Sequence, residues 1–158
     1  MPRGNSKIKK FPIKPDAKYG SIVVSKFINN IMWAGKKSVA TGLIYKSFDI
    51  IEKKTGKPAI DVFNTAIKNV SPSLKVRSRR IGGSNYQIPM EVKKDQKIMY
   101  AIKWIIAAVR AKKGRSTPEE LAEELMLAAE NQGAAIKKKE DTHRMAEANR
   151  AYAHYARF

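Results

Sequence analysis

One segment constrains the fold of this chain more than any other, because it joins a glycine-pair turn to strand-like alternation. In "VRSRRIGGSNYQIPMEV", residues 76–92, Gly82-Gly83 is a turn signal, since glycine adopts positive φ at no steric cost. On both sides of this pair the residue types alternate with period two, and Pro89 places its strand at an edge because it has no amide hydrogen to donate. We predict a β-hairpin at about residues 73–91. An isolated hairpin is marginal in water, so the rest of the chain or a partner must support it.

The rest of the chain is patterned for helices. Three segments before the hairpin and three after it carry apolar residues at helical spacing, and Gly56 and Pro72 mark helix ends. The fold class predicted is mainly α: a six-helix bundle-like body with one protruding two-stranded β-hairpin arm and basic terminal extensions. We predict a flexible basic arm at residues 1–15, a single helical domain at 16–148 that includes the hairpin, and an aromatic-basic tail at 149–158.

The net charge of +18 limits the classes of partner. A chain this basic repels itself unless it meets a polyanion; nucleic acid is the commonest candidate, and an anionic membrane surface comes second. The chain has no cysteine, which excludes disulfides and thiolate metal sites. No apolar run approaches membrane-spanning length, and the amino terminus lacks the apolar core of a signal peptide. We expect a cytoplasmic protein with no cofactor and no membrane partner.

Acidic residues are concentrated in the fifth helical segment, at Glu119, Glu120, Glu123 and Glu124. These carboxylates would repel phosphate, so we expect them to face solvent or a basic neighbour. At the start of the same segment, Thr117 and Glu120 have the spacing of a capping box.

The candidate RNA-binding residues are basic or polar groups on the termini, on the hairpin and at helix starts or faces. They are Arg3, Lys7, Lys9, Lys10, Lys36, Lys37, Arg77, Arg79, Arg80, Lys93, Lys97, Lys137, Lys139, His143, Arg144 and Arg150. The four basic residues of the amino-terminal segment, Arg3, Lys7, Lys9 and Lys10, suit a nucleic-acid arm better than a merely solubilising terminus. Lys36 and Lys37 follow Gly35 at a predicted helix start, where backbone amides attract phosphate, although a solvated turn explains these three residues equally well.

Two helices carry further candidates. On the fourth, Lys93, Lys97, Tyr100 and Trp104 form a stripe in which the lysines suit phosphates, while Trp104 fits the core better than an RNA face.

On the sixth helix, Lys139, His143 and Arg150 are predicted to line one face, flanked by Lys137 and Arg144. His143 suits a polar member of this face rather than a catalyst. The other histidine is too isolated to suggest a metal site.

The hairpin arginines are the most specific feature. Arg77, Arg79 and Arg80 offer planar forks to phosphate or guanine, on a ribbon narrow enough to enter a groove. Charge that protects an exposed edge from aggregation is the alternative, but three arginines beside the turn exceed that need. No nucleophile elbow, dinucleotide turn or HExxH motif occurs, so we predict that the protein is not an enzyme.

With these features laid out, the chain resembles the bacterial form of the small-subunit ribosomal protein seven family. The resemblance rests on "KFINNIMWAGKKS", "VRSRRIGGSNYQIPMEV" and "AAENQGAAIKKKEDTHRMAEANRAYAHYARF", and it covers most of the chain from about residue 16.

This resemblance implies a mostly helical fold and a function in the small ribosomal subunit of the cytoplasmic ribosome. It implies primary binding to the 3′ major domain of small-subunit ribosomal RNA, nucleation of head assembly, an arm beside exit-site transfer RNA, and small-subunit ribosomal proteins nine and eleven as neighbours. The residues alone leave a DNA-architectural protein as the alternative, since basic β-arms also bend DNA.

Overall fold

The computed structural model describes residues 12–157, in which helices enclose a core and one hairpin is attached to them. In chain order the elements are α1 (Ile22–Ile31), α2 (Lys37–Thr55), α3 (Ala59–Val70), β1 (Leu74–Ile81), β2 (Ser84–Glu91), α4 (Lys94–Ala111), α5 (Thr117–Ala129), α6 (Ala134–Ala148) and a C-terminal 3₁₀ helix (Arg150–Arg157). The predicted fold class, mainly α with one two-stranded hairpin, is confirmed. Arg3, Lys7, Lys9 and Lys10 of the predicted basic arm lie outside the described residues.

The core forms where α5 packs against α2, α3 and α4. Phe63 of α3 joins the first two helices to this centre, because its ring centroid lies 5.5 Å from those of both Phe27 in α1 and Phe48 in α2. Leu121 and Leu125 of α5 are fully buried beside them. Each such side chain contributes about 1.5–3 kcal/mol by leaving water, so most of the apolar burial lies between helices.

The acidic residues of α5 face a basic neighbour rather than solvent alone. Glu124 is fully buried, its Oε1 accepts a hydrogen bond of 2.9 Å from the amide of Ala135, and its Oε2 lies 3.1 Å from the ammonium group of Lys112. Burial by itself would lower the pKa of Lys112, but the pairing with Glu124 and the charges of Glu123 and Glu120 outweigh it and raise that pKa. The α5 carboxylates therefore join the end of α4 to the start of α6.

The predicted capping box at the start of α5 is wrong. Ser116 is the N-cap residue, and it makes no side-chain hydrogen bond to the helix amides. Glu120 is buried and lies 3.7 Å from Lys112, so its carboxylate is held by a cation instead of reaching back toward Thr117.

The hairpin is supported by the chain itself. Its register pairs Arg79 with Tyr86 and Arg77 with Ile88, and side chains directly opposite in an antiparallel pair share a face. On this face the Tyr86 ring lies 5.1 Å from Tyr152 and 6.0 Å from Tyr155 of the 3₁₀ helix. Since α6 also contacts both strands, the base and one face of the arm are braced.

Shortening the tip tests whether the arm is independent of the core. Deleting Arg80, Ile81, Ser84 and Asn85 while keeping Gly82-Gly83 removes two cross-strand pairs and leaves the turn between Arg79 and Tyr86. The four deleted residues are exposed except Ile81, which is half-buried, so we expect unchanged helical content by circular dichroism and a melting temperature within about 3 °C of the parent. Loss of the cooperative melt would contradict this and would make the tip part of the core.

Candidate nucleic-acid interface

The turn between α1 and α2 presents two lysines at a helix start, as the sequence predicted. Lys36 is the N-cap residue of α2 and Lys37 its first residue, and both are exposed. Ala34 and Gly35 have φ of 50° and 73°, so two consecutive left-handed residues reverse the chain here. The Lys36 amide then donates to the Trp33 carbonyl at 3.0 Å and the Lys37 amide to the Gly35 carbonyl at 2.9 Å.

These bonds decide which amides an anion could meet. The lysine amides are used within the turn, whereas those of Ser38 and Val39 have no acceptor among residues 12–157, and no side chain caps the helix. The first amides of a helix carry partial positive charge, and their N–H groups point out of the N-terminal end of the helix. The groups at this turn that could meet an anion are therefore the Ser38 and Val39 amides together with the ammonium groups of Lys36 and Lys37.

The solvent-facing side of α4 differs from the predicted one. The residues at helical spacing on this side are Gln96, Tyr100, Lys103, Ala107 and Arg110, all exposed except the half-buried Tyr100. Of the predicted stripe, Lys93 is the exposed N-cap residue, Lys97 is half-buried, and Trp104 packs against the core as its core interpretation required. Periodicity identified neighbouring residues on α4 but missed Lys103 and Arg110, because it does not show which side other helices cover.

This side of α4 connects the hairpin with the α1–α2 turn. At its beginning, Lys75 of β1 donates to Gln96 Oε1 at 3.2 Å and lies 5.9 Å from the Tyr100 ring centroid. At its end, the Arg110 guanidinium donates to the Ile31 carbonyl at 3.2 Å. An 18-residue helix is about 27 Å long, so α4 spans that distance between the arm and the turn.

The hairpin arginines are exposed but not equivalent. Arg77 and Arg79 share a face, while Arg80 lies opposite Asn85 on the other face. Arg79 donates to the Tyr155 carbonyl at 3.3 Å, and thus holds the C-terminal 3₁₀ helix. Neither Arg77 nor Arg80 forms an ion pair with a described residue, so both keep their donors for a partner.

Two predicted α6 residues make contacts within the fold. The Lys139 ammonium group donates to the Asn69 carbonyl at 2.7 Å, and the Nε2 atom of His143 accepts from the Ser73 amide at 3.1 Å. Burial lowers the pKa of His143, and the adjacent charge of Lys139 lowers it further, which favours the neutral imidazole that this bond needs. Lys139 and His143 therefore join α6 to the end of α3 and to the segment that follows it.

The prediction that Arg150 shares a face of α6 with these residues is wrong. The helix ends at Ala148, its C-cap is Asn149, and Arg150 begins the 3₁₀ helix, where it lies 3.3 Å from Glu147. Lys137 and Arg144 are exposed on α6, and Arg144 lies 3.8 Å from Asp141. Exposed pairs of this kind contribute little and release readily to a stronger anion.

Neither a metal centre nor a membrane span emerges from residues 12–157. Within this range no three His, Asp or Glu side chains are grouped so that they could hold a metal ion. None of the helices in the same range is long and apolar enough to cross a bilayer.

A helical body of high positive charge, in which α4 links a basic hairpin to the lysine-bearing turn between α1 and α2, defines a class of polyanion-binding proteins.

Comparison with known proteins narrows this class to one family. The family model described as ribosomal protein S7p/S5e matches residues 2–150. The chain is 56% identical to the small ribosomal subunit protein uS7 of Thermotoga neapolitana over 143 residues, which is 90% of this chain and 92% of that protein.

Two other relatives extend this match. The chain is 52% identical over 155 residues to the uS7 protein of Thermotoga petrophila, covering 98% of this chain and 99% of that protein. It is 53% identical over 143 residues to that of Methylobacterium nodulans, covering 90% and 92% respectively. The chain therefore belongs to the ribosomal protein S7p/S5e family, which confirms the resemblance read from its sequence. It is a structural, non-enzymatic constituent of the small ribosomal subunit.

Proposed function

We propose that this protein binds the 3′ major domain of small-subunit ribosomal RNA and nucleates assembly of the subunit head in the cytoplasmic ribosome. The observation that carries the proposal is the exposed side of α4, which links the α1–α2 turn, with Lys36 and Lys37, to the basic hairpin. Lys103 and Arg110 lie on it between the two, and neither forms an ion pair with a described residue. A rigid surface about 27 Å long can contact several phosphates of one folded RNA at the same time.

The arm has a separate role in this proposal. Its exposed residues include Arg77 in the middle of β1 and Arg80 next to the turn, and neither forms an ion pair with a described residue. Contacts made by such a ribbon add little to binding of the isolated RNA and more to the assembled particle. We propose that these contacts are with exit-site transfer RNA, and that small-subunit ribosomal proteins nine and eleven are neighbours. In the same proposal, residues 1–15 act as an amino-terminal basic arm distinct from the hairpin, residues 16–148 as the helical domain and residues 149–158 as the tail.

Binding to RNA should be steeply dependent on salt. Each phosphate neutralised releases counterion and contributes about −0.7 to −0.9 to the slope of log affinity against log salt concentration. The net charge is +18, and the basic surfaces are the α1–α2 turn, the exposed side of α4 and the hairpin. We therefore expect a slope of about −4 or steeper for a transcript of the 3′ major domain. A filter-binding titration between low and moderate salt measures this slope, and a flat plot would contradict phosphate-led binding.

The same titration separates ribosomal RNA from DNA. At one fixed salt concentration, the 3′ major domain transcript should bind more tightly than random duplex DNA of equal length. Equal affinities would favour the DNA-architectural alternative and would overturn the proposal. A transcript of another small-subunit domain serves as the matched RNA control.

A further inference from the structure

Trp33 is an aromatic side chain that lies outside the core. Its exposed fraction is 75%, the largest among the exposed large apolar side chains of residues 12–157. Singly exposed apolar residues are common on protein surfaces, but tryptophan is on average highly buried. The other tryptophan, Trp104, packs against the core.

The orientation of Trp33 is nonetheless fixed from two sides. Its carbonyl accepts the Lys36 amide at 3.0 Å, which ties its backbone to the reversed turn at Ala34 and Gly35. The Arg110 guanidinium carbon lies 5.5 Å from its ring centroid, and that guanidinium is itself anchored to the Ile31 carbonyl at 3.2 Å. The indole is therefore held by an arginine on one side while most of its surface remains open to solvent.

The charges around Trp33 indicate what could cover the open surface. Lys36 and Lys37 follow within four residues, and the amides of Ser38 and Val39 come next. An incoming group must combine a flat apolar face with nearby negative charge. A nucleotide with an unpaired base has this combination, since its base can stack on an aromatic ring while its phosphate meets lysines.

We propose that Trp33 is a stacking platform for an unpaired nucleobase of the bound RNA. Arg110 is its positioning residue, and Lys36 and Lys37 hold the adjacent phosphate. This inference rests on the proposed RNA-binding function and adds to it a contact with a base rather than with phosphate. A base in a regular duplex has no free face, so the platform requires a loop, bulge or single-stranded segment.

Substitutions that keep or remove the flat ring test the proposal by affinity. Trp33→Leu should weaken binding to the 3′ major domain transcript by about tenfold, the size expected when one stacked aromatic is lost, whereas Trp33→Phe should retain most of the affinity. The slope against salt concentration should stay unchanged, because no charge is removed. Ile22→Ala removes another exposed apolar side chain, at the start of α1, and should leave affinity within about twofold.

Fluorescence gives a second readout that needs no loss of affinity. Trp104→Phe leaves Trp33 as the single tryptophan of the chain, and its emission should be quenched and protected from acrylamide when the transcript binds. In Trp33→Phe, the remaining Trp104 signal should change little. Melting curves of all variants establish that each is folded.

The outcomes separate this inference from the proposed function. If the parent protein does not prefer the 3′ major domain transcript, the proposed function fails. If the parent binds it but Trp33→Leu binds equally well and the Trp33 emission is unchanged, only the stacking platform is overturned.

Discussion

Reversing Lys36 and Lys37 to glutamate is expected to weaken binding to the 3′ major domain transcript by about a hundredfold at 0.1 M salt. A charge-assisted contact contributes about 1.5–3 kcal/mol, so losing two costs about 3 kcal/mol or more, and a hundredfold change, about 2.7 kcal/mol, lies at the low end of that range. The new carboxylates would also lie beside the Ser38 and Val39 amides and compete for them with phosphate. The slope of log affinity against log salt concentration should become shallower by about 2.

A matched reversal at the other end of the same helix provides the control. Lys53 and Lys54 lie exposed in the last turn of α2, and changing both to glutamate alters the net charge by the same amount. If binding depends on the turn itself, this second variant should lose less than about tenfold in affinity. Equal losses in the two variants would mean that net charge alone drives binding, and would contradict a local phosphate site at the turn.

Truncating Glu124 is expected to have the largest effect on stability. Glu124→Ala leaves the buried amide of Ala135 without its acceptor and deprives Lys112 of its nearest carboxylate. Leaving a buried amide without an acceptor costs about 1–3 kcal/mol, and Lys112, which is 31% exposed, adds less, so the melting temperature should fall by about 5–10 °C for a chain of this size. Glu124→Gln should lose less, because the amide oxygen can still accept from Ala135.

The adjacent Glu123 offers a direct comparison. It is half-buried and pairs at 2.8 Å with Arg115, which is exposed, so Glu123→Ala should cost no more than about 1 kcal/mol. Differential scanning calorimetry of the three variants and the parent measures the difference. If Glu124→Ala proved as mild as Glu123→Ala, water or a shifted lysine would have to satisfy Ala135, and the account of how α5 holds α6 would be wrong.

The elements of the fold could be predicted from sequence because each is specified by nearby residues. Helical periodicity and the Gly82-Gly83 turn depend on spacings of a few residues, and the structure has helices and a hairpin where these signals lie. The placement of Lys36 and Lys37 at a helix start follows from Gly35 in the same way.

What could not be predicted depends on contacts between distant parts of the chain. Lys139 and His143 have the residue types of an RNA-facing surface, yet both bind backbone groups at the end of α3 and after it. On α4, the sequence shows which residues share a side, and it indicates a core position for Trp104, but it does not show that Lys97 is partly covered. Arg150 has the residue spacing of the α6 face, but α6 ends at Ala148, where the predicted helical domain also ends, so spacing alone misassigns it.

The 3₁₀ helix on the hairpin has a consequence for the order in which the chain acquires its shape. During synthesis, β1 and β2 are complete before α4, α5 and α6 are made. The residues of the 3₁₀ helix that cover the hairpin come last. Until Tyr152 and Tyr155 arrive, the ring of Tyr86 and the guanidinium of Arg79 have no tail to contact. A nascent chain therefore carries an arm whose aromatic face is bare, and the arm reaches its final form only after most of the helical body has been made.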